Sequence, residues 1–538
     1  MRSMKIGLLL FVGSILIAAG VFILSDTPTL AQDGDDRDYI GAGECESCHR
    51  DLSRNHEDSV HALALQRTDR DKDAILGDFA QGNAERTVQL PGEDAARPFT
   101  ADDIAYAIGS GRYTQAYVVE VENNVYQVLP ARWNTVTQSW EAYSLAASWP
   151  DPAYDFVQNC AGCHAVGVNV ERGRWEDAGV LCEACHGPGS EHADVASDAG
   201  RRPDDEELVE IRAAIDPGTD PQVCGQCHSR GTTPEGSPAY PVNYRPGGDL
   251  FVDGGYTLYL PDDGVHGYPS GHASQPNMQF NEWYVTGHAA ALTSLLDSGD
   301  AADECLNCHS GDYRYVQQLI AVAAAGERAG TPPDALTPET ARFGITCITC
   351  HDPHSEEGRP SNLVEESYTL CVSCHSNAGF VGGIHHPVQE MFEGLRVVDE
   401  VISRPSDHFT AEDGPDCQTC HFPQVPVGSS TRASHALLPV MPGAAINLEG
   451  VIDSCTACHE GQVDAASMQR LIDDIQASMR SRIEAARARI TTATPPWVIT
   501  ALDFVEGDGS FGVHNYAYAD DLLDAVDAAL GLFPSEEN

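Results

Sequence analysis

The sequence predicts a mainly α-helical and irregular chain, interrupted near its N-terminus by a small antiparallel β insert and ending in a helical segment. Three observations predict this. Cysteines come only as tight C-x-x-C pairs, a spacing that fits one helical turn, scattered from Cys45 to Cys458 through connections with many Gly and Pro. Between Tyr117 and Leu129 two β-rich runs flank a short polar turn. From Ala465 onward apolar residues recur with the helical period.

The 538 residues carry 81 Asp+Glu against 31 Lys+Arg, a formal charge of −50. That length suffices for about two to four compact units. The acidic excess argues against nucleic acid and against an anionic membrane surface, which both require a basic face. Hydrophobic residues at 42% and aromatics at 7% exclude a generally disordered chain. The excess is spread from Asp33 to Glu537 without one dominant block. It reads first as a solvated surface and second as steering for a basic redox partner.

Taken in order, Arg2 and Lys5 precede an apolar run from Ile6 to about Leu24, and Thr29-Leu30-Ala31 places small residues at a leader-peptidase site. Residues 1–31 are expected to be an export signal; kept uncleaved, the same run is long enough to tether the chain to a membrane. Residues 32–75 form a first segment with one cysteine pair. Residues 76–150 form the β insert: Tyr117–Val121 and Val125–Leu129 make a hairpin through Glu122-Asn123-Asn124, and Trp133 and Trp140 bracket a further short strand. Residues 151–460 hold the other eight pairs, with a Gly-, Pro- and Tyr-rich irregular connection over 231–300. In 461–538 a helix from Ala465 to about Thr492 presents Met468, Leu471, Ile472, Ile475, Met479 and Ile483. The stretch Thr491–Pro496 breaks it. Asn515 then caps a last helix through Leu530 with Tyr516, Leu522, Leu523 and Val526 on its face.

All 18 cysteines are consumed by nine pairs, and each pair is followed at once by histidine. The pairs are Cys45/Cys48, Cys160/Cys163, Cys182/Cys185, Cys224/Cys227, Cys305/Cys308, Cys347/Cys350, Cys371/Cys374, Cys417/Cys420 and Cys455/Cys458. C-x-x-C-H is the attachment signature of c-type haem. On one turn of helix the two thiols reach the two vinyl groups of one porphyrin, and the adjacent imidazole reaches its iron. Zinc sites draw four ligands, usually from two pairs, and nine pairs do not divide evenly. A disulfide framework needs no histidine after each pair. The reading is therefore nine covalently attached haem c groups that themselves form the core. The proximal ligands are His49, His164, His186, His228, His309, His351, His375, His421 and His459.

Twelve further histidines compete for the opposite faces. His61, His288 and His435 share one element, Ser59-Val60-His61-Ala62, Thr286-Gly287-His288-Ala289 and Ser434-His435-Ala436, whose small residues let a flat macrocycle approach the backbone. His192 and His354 lie too close behind their own motifs to reach over them and are expected on a neighbouring haem. His272, His408 and His514 sit near glycine or acidic loop residues, and His385 is preferred narrowly over His386. These nine are the distal candidates; His56 and His266 are the expected spares. Methionine would raise the potential as a ligand. Only seven are present, two of them in the leader, so mostly bis-histidine haems are expected.

The stretch Cys182-Glu183-Ala184-Cys185-His186-Gly187-Pro188-Gly189-Ser190-Glu191-His192, the Ser-x-His61-Ala element and Gly512-Val513-His514-Asn515 resemble the multihaem superfamily of tetrahaem cytochromes of nitrifying bacteria, octahaem hydroxylamine oxidoreductase, octahaem tetrathionate reductase and pentahaem nitrite reductase. Cys347 to His386 resembles the doubled C-x-x-C-H modules of exported cytochromes. The resemblance implies closely stacked haem pairs, bis-histidine ligation and electron transport. The nitrite and tetrathionate reductases carry lysine after the last cysteine of the active haem. Here lysine occurs only at Lys5 and Lys72, so that haem is expected to be absent. Nothing marks one of the 18 tyrosines as the cross-linking residue of a hydroxylamine oxidoreductase.

The function expected is electron transfer by an exported nonahaem cytochrome, in the periplasm, outside the cell or on the outer face of the cytoplasmic membrane. No residue is singled out as catalytic. Partners would be redox proteins, such as other cytochromes or a membrane quinol-oxidising complex. A second reading is an oxidoreductase acting on a small nitrogen or sulfur compound at one haem with an open axial position. A third is the protomer of a homo-oligomeric conducting filament.

Overall fold

The computed structural model describes residues 37–532 apart from 327–329, 356–359, 379–382, 429, 446–450 and 460. The expected leader lies outside the described residues. Among the described residues no helix is long and apolar enough to cross a membrane.

The β-rich runs build one six-stranded antiparallel sheet: β1 Leu65–Arg67, β2 Tyr106–Ile108, β3 Thr114–Glu122, β4 Val125–Val128, β5 Ala131–Asn134 and β6 Ser139–Ala142. β3 is its spine. It pairs with β2 on one side; on the other, its C-terminal half pairs with β4 and its N-terminal half with β5. The β3–β4 turn uses Asn124 at φ +59°, which asparagine tolerates better than most residues. Trp133 and Trp140 do not bracket one strand. They are cross-strand partners in a β5–β6 hairpin, which adds a second tight turn. β1 also lies outside 76–150, so the sheet reaches into the first cysteine segment.

One face of the sheet buries Phe99, Tyr117, Trp133 and Trp140. Arg86 is buried among these rings and is held by carbonyls: its guanidinium donates to Phe79 O and Gln81 O at 3.0 Å and also to Phe99 O. It lies 5.4 Å from the Trp140 ring centroid, so cation–π attraction and hydrogen bonds together offset the cost of burial. Burial lowers its pKa. The other face packs against Tyr154, Phe156 and Val157, which lead directly into Cys160.

The C-terminal segment holds three helices: α1 Ala465–Arg487, α2 Pro496–Gly507 and α3 Tyr516–Leu530. The stretch Thr491–Pro496 does interrupt the helix, but Pro496 also opens α2, where a proline at the first turn costs no hydrogen bond. Asn515 caps α3, accepting from Tyr518 N at 3.1 Å. Met479, Ile483, Val498, Leu502, Phe504, Tyr518, Leu522 and Val526 form one core with Met391 and Val398. On the outer surface Arg482 of α1 joins Asp520, Asp524 and Asp527 of α3, each at 2.7 Å. The α2–α3 connection, Asp508 to His514, follows Gly507, which packs beside Ile384 and Pro387, and ends with His514 opposite His421.

The connection over 231–300 is irregular as far as Asn277, apart from the two-residue strands Gly231–Thr232 and Thr257–Leu258. It then forms helices Gln279–Tyr284 and Ala291–Ser298.

Replacing Trp140 by Ala is expected to cost the insert about 3–5 kcal/mol. Limited proteolysis should then cut within residues 76–150 at temperatures where the C-terminal helices still resist.

Candidate functional site

One cavity of about 5660 Å³ runs through the chain, and every C-x-x-C-H motif contributes to its wall. A pocket for one small ligand has roughly 300–1,000 Å³, so this space is built for several large groups. Each motif forms or ends a single turn. His49, His228, His351 and His375 donate their backbone N–H to the carbonyl of the motif's first cysteine at 2.8–2.9 Å. This closes the turn and sets both thiols and the imidazole on one side.

Across the cavity the imidazoles meet in pairs. Ring centroids are separated by 6.1 Å for His49–His192, His61–His228 and His186–His354, and by 5.9 Å for His288–His375. The distance is 6.3 Å for His351–His435 and 6.2 Å for both His408–His459 and His421–His514. Two metal–imidazole bonds of about 2.0–2.1 Å, plus about 1.1 Å from nitrogen to ring centre on each side, give roughly 6 Å. The spacing therefore fits an iron held between two imidazoles. His192 lies opposite motif 1 and His354 opposite motif 3, so each faces a motif other than the one it follows.

His309 faces both His385 and His386 at 6.1 Å, and ligand atoms of all three lie within 4.8 Å of one another. His386 also lies 6.1 Å from His375. The preference for His385 over His386 is thus not decided by distance.

His272 requires a correction. Its ring is completely buried, its Nδ1 pairs with Ser270 Oγ at 2.9 Å and its Nε2 with Leu438 O at 2.9 Å. With both nitrogens engaged it faces no motif histidine and instead ties the 268–273 turn to residue 438. His56 spends Nε2 on Val180 O at 2.8 Å, and His266 stacks on Tyr259 at 3.8 Å while bonding Asp263. His164 is the one motif histidine with no imidazole opposite it among the described residues.

Second partners orient the rings. Nδ1 of His164, His186, His351 and His421 bonds to the carbonyls of Ala64, Asp216, Ser361 and Leu437 at 2.7–3.0 Å, and His192 bonds to Ile211 O at 2.8 Å. An N–H committed there leaves Nε2 as the metal-facing nitrogen. Burial pushes the pKa of His61, His375 and His435 down to about 4, which keeps them in the neutral form a metal binds. At His514 burial acts in the same direction, but hydrogen bonding and charge from Asp508 carry the pKa up instead.

Buried carboxylates outside the motifs hold the frame. Glu282 accepts from Ala273 N, Ser434 Oγ and His435 N at 2.6–2.8 Å, fixing the turn that presents His435. Burial raises its pKa. Glu183, inside motif 3, accepts from Gly41 N and Gly189 N at 2.8 Å, clamping the first segment to motif 3. In Ser59-x-His61-Ala62, Ser59 Oγ accepts from Ala62 N at 3.0 Å, the hydroxyl role repeated by Ser434 on Ala436 N at 3.2 Å. The small residues of this element are legible in the sequence; the carboxylate clamps are not, because their partners lie far away along the chain.

Thiols of different motifs meet. All are free thiols, and Cys45 lies beside Cys182, Cys163 beside Cys227, Cys224 beside Cys347, Cys308 beside Cys374 and Cys371 beside Cys417. Cys185 lies in electrostatic range of Cys224, Cys350 of Cys374 and Cys420 of Cys458. Numbered along the chain, the motifs therefore run 1–3–4–6–7–8–9 in space, with motif 2 branching from 4 and motif 5 from 7. Gly162 of motif 2 is required by this packing: a Cβ there would fall 2.0 Å from the Tyr240 ring, which lies against the turn.

The family described as Cytochrome c554 and c-prime matches residues 131–187, and the doubled CXXCH motif family matches 341–380. The outer cell wall cytochrome OcwA has a similar structure: TM-score 0.71 and 29% identity over 91% of this chain and 99% of that one. The undecaheme cytochrome from the S-layer of Carboxydothermus ferrireducens shares the fold at TM-score 0.57 and 21% identity, over 93% of this chain and 70% of that one. No curated protein matches. The chain is a multihaem c-type cytochrome with covalently attached haem.

Replacing His272 by Ala is expected to leave the low-spin haem absorption unchanged. It should lower stability by about 1–3 kcal/mol, because Ser270 and Leu438 lose a buried partner; a thermal melt of the holoprotein measures this.

Proposed function

We propose that the chain is an exported nonahaem electron carrier that conducts along the order of motif contacts, taking up and releasing electrons at motifs 1 and 9. The observation that carries this reading is the unbroken succession of touching motifs between two exposed ends. Cys48 and Cys458 are the exposed cysteines, while the other sixteen are at least partly covered. Each bound haem supplies a one-electron couple whose potential its axial ligands set. The eighteen cysteines anchor these groups, and the nine motif histidines provide the first axial nitrogen. His61, His192, His288, His354, His408, His435, His514 and either His385 or His386 provide the second. Likeness to cytochromes of the outer cell wall and of an S-layer supports export and a place at the cell surface. The partners that suit this reading are other redox proteins meeting motif 1 or motif 9.

His164 favours a second reading, in which the motif 2 site offers an open iron position to a small nitrogen or sulfur compound. Its Nδ1 is held by Ala64 O at 2.9 Å, which fixes the ring as a single axial ligand. Tyr240 lies against the turn of this motif, whereas the exposed motif cysteines are those of motifs 1 and 9. The filament reading, which needs an open position at the surface, is correspondingly weaker.

Two measurements test these assignments. Changing His435 to Ala should convert one low-spin ferric signal to high-spin in low-temperature EPR; an unchanged spectrum would remove His435 from the ligand set. In the unmodified holoprotein, cyanide or nitrite should shift one high-spin signal and leave the others alone. Nine low-spin signals insensitive to both would leave only the carrier.

A further inference from the structure

We propose that Asp508 is a positioning residue that makes the haem held by Cys417, Cys420 and His421 a low-potential site. This rests on the reading of His514 as an axial ligand. Asp508 Oδ1 lies 2.7 Å from His514 Nδ1, and the carboxylate is fully shielded from solvent. Its other oxygen accepts from Ser510 N at 3.2 Å and from Ser510 Oγ. Ser510 Oγ in turn accepts from His514 N at 3.1 Å. Loop and ring are therefore locked to one another, and Gly509 at φ +74° and Gly512 at φ +97° make so tight a loop accessible.

This partner is unlike the others. Nδ1 of His164, His186, His192, His309, His351, His421 and His435 meets a neutral backbone carbonyl. Other carboxylates near candidate ligands make no hydrogen bond to the ring: Asp352 lies 3.8 Å from His354 and is half exposed, while Asp407 beside His408 and Asp216 beside His186 act through charge alone, Asp216 meeting His186 Nδ1 with its backbone carbonyl. A carboxylate pulls on the Nδ1 proton with a full negative charge. The imidazole becomes a stronger donor at Nε2, which favours ferric over ferrous iron. Burial leaves that charge poorly screened. Motif 8 stands between motifs 7 and 9, so electrons crossing at this end meet an energetic step that Asp508 sets.

The test is a potentiometric titration of the holoprotein followed by EPR. Asp508→Asn keeps an oxygen acceptor but removes the charge. One low-spin haem should become about tenfold easier to reduce at fixed potential, ~59 mV for a one-electron couple. One EPR signal should move with it, and Asp508→Glu should restore both. A variant with its full haem mass and an unchanged titration would overturn the proposal, as would a shift that Glu fails to reverse. Should Asp508→Asn not fold, the unmodified protein decides: its EPR must contain one low-spin species of distinctly stronger ligand field, and its absence overturns the proposal. His514→Ala tests the underlying reading separately, since only failure to produce a high-spin signal removes His514 as a ligand.

Discussion

The opposition of two imidazoles at about 6 Å is the constraint to which the rest of the chain answers. The partners are brought from far apart. His61 in the first segment meets His228, and His514 from the C-terminal helices meets His421. Each pair therefore closes a long loop, and closing long loops restricts the unfolded chain most. This explains how a chain with so much irregular structure keeps one arrangement. The regular elements, the six-stranded sheet and the three C-terminal helices, stand at the two ends and position loops rather than forming a common apolar core.

Rings at that spacing have to be held while their Nε2 atoms stay available, and the structure solves this from the Nδ1 side. Backbone carbonyls at Ala64, Asp216, Ile211, Ser361 and Leu437 do so without introducing charge. Where a whole turn must be fixed, a buried carboxylate receives several backbone N–H groups, as at Glu183 and Glu282. Those clamps touch the backbone at His435 or the helix of motif 3, so their charge acts on the frame. Asp508 differs because its charge acts directly on a ring.

What could be read from the sequence follows from the range of the forces involved. The cysteine–histidine motifs are local chemistry on one helical turn and are complete in five residues. The β3–β4 hairpin and the Asn515 cap are also local, one a turn between β-rich runs and the other a side chain reaching three residues ahead. The pairing of His192 with motif 1, or of His435 with motif 6, is set by tertiary packing and leaves no mark in spacing. His272 shows the limit most clearly. Its glycine-flanked context matched that of a ligand, yet Ser270 and Leu438 satisfy both nitrogens. The order of motifs in space was equally hidden: the motif 2 and motif 4 thiols each meet a carbonyl of the other's segment, Cys163 that of Gln226 and Cys227 that of Gly162.

That spatial order separates two kinds of site. Seven motifs lie on a path whose ends carry the exposed Cys48 and Cys458, whereas motifs 2 and 5 are side branches. A branch cannot shorten the route between the ends, so its place in the chain calls for a different use. Imidazole supply departs from one per motif at branch motif 2 and where branch motif 5 meets motif 7, since His386 lies 6.1 Å from both His309 and His375. Among the described residues motif 2 has none opposite His164, and motif 5 has two, His385 and His386, in the space of one. Asp508 stands apart from both branches, because it places a charge on the path itself, at the last position before an exposed end.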